Sequence, residues 1–184
     1  MNIDVRDLSY LKNFLKKNWA LNLKLYLFLK NNEKDDSMEF LTSLFDSAGL
    51  TNNYEVICQD EDLCKKFDIS IFPTIIISNG KINLKYVGMP TGIMFSSILY
   101  DILMLTNTLS QNTFEKSTDY VVRTPENRTN IKLFVSSKCP YCPSMSYKIH
   151  KLQIFSNNFN TEIINIDIFQ QYKKILIFIK YLSQ

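Results

Sequence analysis

Apolar residues along this chain recur at two spacings, one typical of helices and one typical of strands. Near the N-terminus Leu8, Leu11 and Leu15 recur every three or four residues, which predicts an amphipathic helix. The apolar run at residues 21–29 predicts a buried strand. The elements predicted after it are a helix capped by Ser37 and ended by Gly49, a strand at Tyr54–Cys58, a helix at 60–67, a strand at 71–77, a hairpin strand at 82–87 and a helix at about 91–105. This order indicates an α/β fold.

The pattern begins again after a polar stretch at residues 106–130, which predicts a second structural unit. The elements expected there are a strand at 131–135, a helix reaching residue 155 and a strand at 161–167. The chain is therefore divided into a first unit at 1–109 and a second at 110–184, related by a weak internal repeat. In the alignment of the halves, polar residues 31–36 take the place of the second unit's cysteines, so the first unit is predicted to lack a dithiol.

The stretch Lys138-Cys139-Pro140-Tyr141-Cys142-Pro143 lies between the second unit's first strand and its helix. A thiol at the start of a helix lies near the positive end of the helix dipole and near unpaired backbone N–H groups, which stabilise its thiolate. Lys138 adds a positive charge beside Cys139. Cys142, one helical turn further on, is placed to resolve a mixed disulfide formed at Cys139. The pattern predicts a redox-active dithiol.

The four cysteines allow other interpretations as well. A C-x-x-C pair can supply half of a zinc site, but Cys58 and Cys64 are poorly spaced for the other half, and His150 lies further along the dithiol helix. We therefore expect no metal. A structural disulfide at the C-x-x-C is disfavoured because the N-terminus does not resemble a secretion signal. Cys58 and Cys64 are predicted to be small core residues, with a labile disulfide between them as the alternative.

Pro73 lies at the start of the strand predicted at 71–77. The first unit's order, strand–helix–strand–helix–strand–strand–helix after an initial helix, is that of the thioredoxin fold, which carries a cis-proline at this position. Cis peptide bonds are nearly confined to bonds that precede proline. We therefore expect a cis Phe72–Pro73 bond, with an ordinary trans proline at a strand edge as the alternative.

Charge and composition argue against several classes of protein. A net charge of +3 without a basic stripe gives no reason to expect nucleic acid as a partner. The N-terminal sequence is acidic and mixed, unlike a signal peptide, and no apolar run reaches the roughly 18–20 residues of a membrane span. These features predict a cytoplasmic protein with no membrane partner, in a reducing compartment where a C-x-x-C is more often catalytic than structural.

Three motifs carry a resemblance to known proteins: Cys139-Pro140-Tyr141-Cys142-Pro143, Phe72-Pro73-Thr74 and Gly88-Met89-Pro90-Thr91-Gly92. The chain resembles the glutaredoxin-like protein disulfide oxidoreductases, which have tandem thioredoxin folds. It is also similar to the N-terminal domain of the flavoprotein subunit of alkyl hydroperoxide reductase. The resemblance implies a thiol–disulfide oxidoreductase that needs no cofactor of its own. Its implied partners are a thioredoxin-reductase-like flavoenzyme and disulfide-containing client proteins, a peroxiredoxin among the candidates.

The sequence departs from both families after residue 169. No proline follows Pro143, so the second unit is expected to be truncated after its second strand and to lack its own cis-proline. We predict a complete first thioredoxin-like unit, an incomplete second unit that carries the dithiol, and homo-oligomers formed through the edge strand at 131–135. The alternative function is a non-catalytic protein-binding module with a relic second unit. A metal site shared across a dimer is a third interpretation.

Overall fold

A computed structural model describes residues 5–30, 36–58, 60–106 and 125–169, without the side chains of residues 5, 6 and 37. Several predicted features lie outside these residues: most of the polar turn at 31–36, most of the linker and the segment after residue 169. The prediction that Ser37 caps the second helix is wrong, because that helix already includes Asp36 and Ser37 therefore lies inside it. The division at residue 109 falls in the same undescribed linker and stays a prediction.

Six strands form one continuous sheet in the order β2-β1-β3-β4-β6-β5. The strands are β1 at Lys24–Leu29, β2 at Tyr54–Cys58, β3 at Thr74–Ser78, β4 at Asn83–Val87, β5 at Thr129–Val135 and β6 at Phe159–Asn165. Strands β1 and β2 are parallel, while β3 is antiparallel to both β1 and β4. The hairpin between β3 and β4 turns at Asn79-Gly80, where Gly80 has a φ of 85° that only glycine adopts freely.

The helices cover the sheet and connect its strands. They are α1 at Val5–Asn18, α2 at Asp36–Ser47, α3 at Glu61–Phe67, α4 at Phe95–Leu105 and α5 at Cys142–Phe155. The predicted helix at 91–105 begins with a single 3-10 turn, Gly92–Met94, before α4. In the described part of the chain, no helix has both the length and the apolar character needed to cross a lipid bilayer.

Two sequence predictions about local structure are settled by the fold. The Phe72–Pro73 peptide bond is cis, as expected. The first strand is shorter than predicted, because a turn at Leu21 and Asn22 precedes it and β1 begins only at Lys24. Leu21 is fully exposed and therefore contributes nothing to the core.

The prediction that Cys58 and Cys64 are both core residues is wrong for Cys58. Successive side chains of a strand point to opposite faces, and on β2 Ile57 faces the core while Cys58 is exposed. Cys64 is half-buried against a cluster that includes Phe67 and Ile76. Both cysteines are free thiols, so the predicted alternative of a disulfide between them is not present.

The sheet joins the two halves of the chain through β4 and β6. These strands are parallel, with Lys85 opposite Glu162 and Val87 opposite Ile164. Strand β5, predicted to be an unpaired edge, is parallel to β6 along its whole length. The C-terminal residues 125–169 therefore extend the sheet of residues 5–106 instead of forming a sheet of their own.

A buried polar cluster lies where α5 packs on α4 and β4. Asp101 Oδ2 accepts a hydrogen bond from the Tyr86 hydroxyl at 2.5 Å and lies 2.6 Å from His150 Nδ1. All three side chains are essentially inaccessible to solvent. Burial, followed by the Asp101 charge, raises the pKa of Tyr86 well above its usual range, so its hydroxyl remains a hydrogen-bond donor.

A second polar cluster crosses the joined strands on one face of the sheet. Glu162 on β6 lies 3.1 Å from the Lys85 ammonium on β4 and 3.4 Å from the Lys132 ammonium on β5. Lys85 is nearly buried and also donates a hydrogen bond to the backbone carbonyl of Asp68. Buried charges are tolerated when they are paired in this way.

Candidate dithiol site

The two cysteines of the C-x-x-C pair lie in the tight turn that connects β5 to α5. Ser136 and Ser137 leave the end of β5, and the Cys139 N–H donates a hydrogen bond to the Ser136 carbonyl at 3.1 Å. The Cys142 N–H donates to the Cys139 carbonyl at 3.3 Å. Helix α5 begins at Cys142, with Pro143 in its first turn, a position that proline tolerates. Cys139 therefore precedes the helix, and Cys142 is its first residue.

The two thiols are free, and they lie close enough for Cys139 to influence the pKa of Cys142. Burial is the main cause that raises the pKa of Cys142 from 9.0 to about 11, and the Cys139 side chain adds to the effect. A hydrogen bond from the Ser136 backbone acts in the opposite direction. At neutral pH Cys142 is therefore a protonated thiol.

Asp167 is a residue of this site that the sequence analysis missed. Its carboxylate accepts hydrogen bonds from the hydroxyls of Ser136 and Ser137, at 2.9 Å and 2.6 Å, and from the Ser137 N–H at 2.7 Å. Burial tends to raise the pKa of Asp167, but the Ser137 and Ser136 hydrogen bonds and the charge of Lys138 outweigh it and lower the pKa. The carboxylate is therefore ionised at neutral pH.

The remaining motif residues lie at the surface around the dithiol. Lys138 is exposed and acts electrostatically on Asp167, and the Tyr141 ring is 78% exposed. Pro140 and Pro143 line an apolar groove of about 660 Å³. The groove is completed by side chains from α5, α4 and the turn before it: Ser144, Tyr147, Ile93, Ser96 and Tyr100. The dithiol thus borders an apolar surface built from both halves of the chain.

Pro73 is not brought to the dithiol. It lies just before β3, where its carbonyl accepts a hydrogen bond from the Gly88 N–H at 2.7 Å. In the sheet, β4 and β6 separate β3 from β5. With neighbouring strands roughly 4.8 Å apart, the β3 and β5 axes are about 14 Å apart. The cis-proline and the cysteines therefore belong to different parts of the structure.

The His, Cys, Asp and Glu side chains of the described residues form no cluster suited to a metal ion. Among residues 5–30, 36–58, 60–106 and 125–169, no group of three or more His, Cys, Asp or Glu side chains is placed to hold a metal ion. His150, the one histidine in the sequence, is buried against Asp101 in the cluster under α5.

The strand order, the cis-proline before β3 and the helix that follows the C-x-x-C turn define a thioredoxin-like α/β fold. Solved structures confirm this class. A protein disulfide oxidoreductase from Aeropyrum pernix K1 superposes with a TM-score of 0.70 at 17% identity, over 95% of this chain and 79% of that chain.

Two structures of the alkylhydroperoxide reductase AhpF from Enterococcus faecalis are also similar. One superposes with a TM-score of 0.69 at 19% identity, over 94% of this chain and 84% of that chain. The other, its NTD_N/C domain, gives 0.66 at 18% identity over the same shares. No protein-family model and no curated protein matches the sequence. At these sequence identities the similar structures show that the fold is shared, and they show nothing further about this chain.

Proposed function

We propose that the chain is a thiol–disulfide oxidoreductase in which Cys139 attacks a client disulfide and Cys142 resolves the product. The observation that carries this proposal is the placement of the two thiols: Cys139 lies in the turn before α5, while Cys142 is the partly buried first residue of α5. The pKa of Cys142 is raised to about 11, so at neutral pH it is not the attacking thiolate. The nucleophile is then Cys139, which precedes the helix and lies at its N-terminal, positive end.

In the first step the Cys139 thiolate attacks one sulfur of the client disulfide in line with the S–S bond. A bond forms between Cys139 Sγ and that sulfur, and the client S–S bond breaks. The other client sulfur leaves as a thiolate and takes up a proton from solvent. The product is a mixed disulfide between Cys139 and the client.

In the second step Cys142 gives up its proton to solvent, and the resulting thiolate attacks Cys139 Sγ. The bond between Cys139 and the client breaks, and the second client sulfur leaves as a thiolate that accepts a proton. The chain ends with a Cys139–Cys142 disulfide, and two electrons have passed to the client. A dithiol or a thioredoxin-reductase-like flavoenzyme returns those electrons, and in the opposite direction the same steps oxidise a client dithiol.

The apolar groove beside Pro140 supports a protein client, because it has a volume of about 660 Å³, is lined by uncharged residues and lies next to the cysteines. Exposed apolar patches of this kind are typical of interaction sites. The names of the similar structures, a disulfide oxidoreductase and a peroxide reductase, are consistent with such a client. The groove is also what favours the second candidate, a module that binds proteins without exchanging disulfides.

The test is catalysed reduction of a fluorescently labelled peptide disulfide by a low concentration of dithiothreitol. We expect the protein to accelerate the reaction by about tenfold or more over dithiothreitol alone. Cys139→Ser should abolish the acceleration. Cys58→Ser is the matched control, because it removes an exposed thiol outside the turn and should leave the rate unchanged. Equal rates with and without the protein would favour the binding module.

A further inference from the structure

We infer that Asp167 is the positioning residue of the dithiol: its carboxylate fixes the Ser136–Ser137 turn, which in turn sets the placement of both cysteine sulfurs. The inference deepens the proposed function and rests on it for the exchange reaction alone, since the restraint on the turn exists whether or not a client is reduced. Asp167 follows β6 and is far from the cysteines in sequence, which is why the C-x-x-C motif does not reveal it.

The carboxylate accepts hydrogen bonds from both residues of the turn. Oδ1 accepts from the Ser136 hydroxyl at 2.9 Å. Oδ2 accepts from the Ser137 N–H at 2.7 Å, the Ser137 hydroxyl at 2.6 Å and the Ser136 hydroxyl at 3.1 Å. Hydrogen bonds to an ionised acceptor are stronger than neutral ones. One side chain therefore restrains both residues of the turn.

The restrained turn is linked to both cysteines by backbone hydrogen bonds. The Ser136 carbonyl accepts the Cys139 N–H at 3.1 Å, and the Cys139 carbonyl accepts the Cys142 N–H at 3.3 Å. A displacement of Ser136 would therefore shift the two sulfurs relative to each other. Exchange between them depends on that geometry, because misplacement by about 1 Å can reduce a rate by orders of magnitude.

Asp167 is itself held by the other half of the chain. Its N–H donates to Asn165 Oδ1 at 3.0 Å, and the buried Asn165 amide donates to the Met89 carbonyl at 2.8 Å. Met89 lies in the loop between β4 and the 3-10 turn. Gly92, the first residue of the 3-10 turn, lies against the dithiol turn, since a Cβ on it would be 3.4 Å from the Ser137 carbonyl oxygen. The loop of residues 88–92 thus supports the dithiol turn.

Asp167 is poorly suited to act instead as the base that deprotonates Cys142. Hydrogen bonds occupy both of its oxygens, and its lowered pKa makes it a weak proton acceptor. Its charge acts in the opposite direction, since Asp167 and Cys139 are the charged or titratable groups that raise the pKa of Cys142. The positive charge of Lys138 helps to lower the pKa of Asp167.

The experiment compares Asp167→Asn with Asp167→Ala, with Asp62→Ala on α3 as the matched control. Asparagine keeps an acceptor for the Ser137 N–H and removes the charge, while alanine removes both. Three quantities are measured: the hydrogen-exchange rate of the Ser137 amide, the rate of exchange with the labelled peptide disulfide, and the pH midpoint of Cys142 alkylation in a Cys139→Ser background.

For Asp167→Ala we expect Ser137 amide exchange to accelerate and disulfide exchange to slow, each by about tenfold or more. For Asp167→Asn we expect both rates within about threefold of the native protein, and a lower midpoint for Cys142 because the repelling charge is gone. The Asp62→Ala control should leave all three quantities unchanged.

Native values for all three quantities in Asp167→Ala would overturn the inference. Equal slowing by asparagine and alanine would also overturn it, because charge alone would then be responsible. If the alanine variant fails to fold, the Ser136→Ala, Ser137→Ala double variant replaces it, and native disulfide exchange there would contradict the inference. If the native protein does not exchange disulfides, the proposed function fails, and the Ser137 amide and the Cys142 midpoint still decide the role of Asp167.

Discussion

The two cysteines of the turn differ in their surroundings although they are three positions apart in the sequence. Cys142 is the first residue of α5 and is partly buried, and its pKa is raised to about 11. Cys139 precedes the helix in the turn, where its carbonyl accepts a hydrogen bond from the Cys142 N–H. This difference assigns the roles of attacking and resolving thiol in the proposed reaction.

The first expectation concerns the order of alkylation. In the reduced protein, iodoacetamide should modify Cys139 well before Cys142 near neutral pH, because Cys142 is protonated there. Modification of Cys142 should rise as the pH approaches about 11. Peptide mapping by mass spectrometry measures both rates. Faster modification of Cys142 at pH 7 would reverse the two roles.

The second expectation concerns stability against pH. Because the pKa of Cys142 is raised on folding, from 9.0 to about 11, its contribution is fully present below about pH 9. The contribution is lost as the pH rises through about 11, since ionisation of the thiol then favours the unfolded chain. Between about pH 9 and 11, the urea midpoint of the reduced protein should fall more steeply than that of Cys142→Ser. If the two midpoints fall in parallel as the pH rises, the raised pKa of Cys142 is contradicted.

The sequence reveals the residues of the site whose spacing is local, and it misses those that the fold brings in from elsewhere. The C-x-x-C pair and its helix were found from neighbouring positions. Asp167 was missed because its contacts to Ser136 and Ser137 depend on β6 lying beside β5. Cys58 was misassigned because an apolar segment such as β2 does not show which of its two faces meets the core.

At the scale of elements, the packing of α5 on α4 and β4 determines where the dithiol lies. The packing includes the Tyr86–Asp101–His150 cluster, in which the Asp101 side chain is within hydrogen-bonding distance of both buried partners. Among the described residues, Asp101 Oδ1 and His150 Nε2 have no hydrogen-bond partner. The two contacts of Asp101 Oδ2, to Tyr86 and to His150, must therefore offset the cost of burying all three side chains.

The third expectation tests this cluster. Asp101→Ala should reduce the free energy of unfolding by about 3 kcal/mol or more, because it leaves a buried histidine and a buried phenol without their partner. The exposed Asp62→Ala change on α3 should remain within about 0.5 kcal/mol of the native protein. Urea denaturation measures both. A similar small effect for the two variants would mean that the cluster contributes little to the packing of α5.

The elements themselves were largely predictable, whereas their neighbours in the sheet were not. Strand Tyr54–Cys58 has the predicted bounds, and the cis bond before Pro73 is confirmed. The pairing of β6 with β4 was not anticipated, because alternation along a strand indicates its buried face and carries no information on which strand lies beside it. The continuation of one sheet from the first half into the second was therefore not predicted.

At the scale of the whole molecule, the continuous sheet implies that the two halves unfold together. The core on one side of the sheet includes residues of both halves, among them Leu27, Ile77, Val135 and Ile163. Small domains with one core commonly unfold in a single transition. The shared sheet therefore predicts cooperativity between the half that carries the dithiol and the half that supports it.

The fourth expectation uses one probe in each half. Trp19, the one tryptophan in the chain, packs against Phe45 in the first half and reports by fluorescence. In a Cys139→Ser background, the alkylation rate of Cys142 reports on the second half. The two urea midpoints should coincide. Loss of Cys142 protection at a clearly lower urea concentration than the fluorescence change would show that the halves unfold independently.

The central claim is that the dithiol exchanges disulfides with Cys139 as the nucleophile, and one stoichiometric reaction tests it most directly. The reduced protein, in a Cys58→Ser, Cys64→Ser background, is mixed with a small aromatic disulfide and weighed by mass spectrometry. We expect two aromatic thiolates released per chain and a product lighter by two hydrogen atoms, with Cys142→Ser instead retaining one aromatic group on Cys139. A product that carries a separate aromatic group on each cysteine, or an adduct on Cys142 alone in the native pair, would contradict the account.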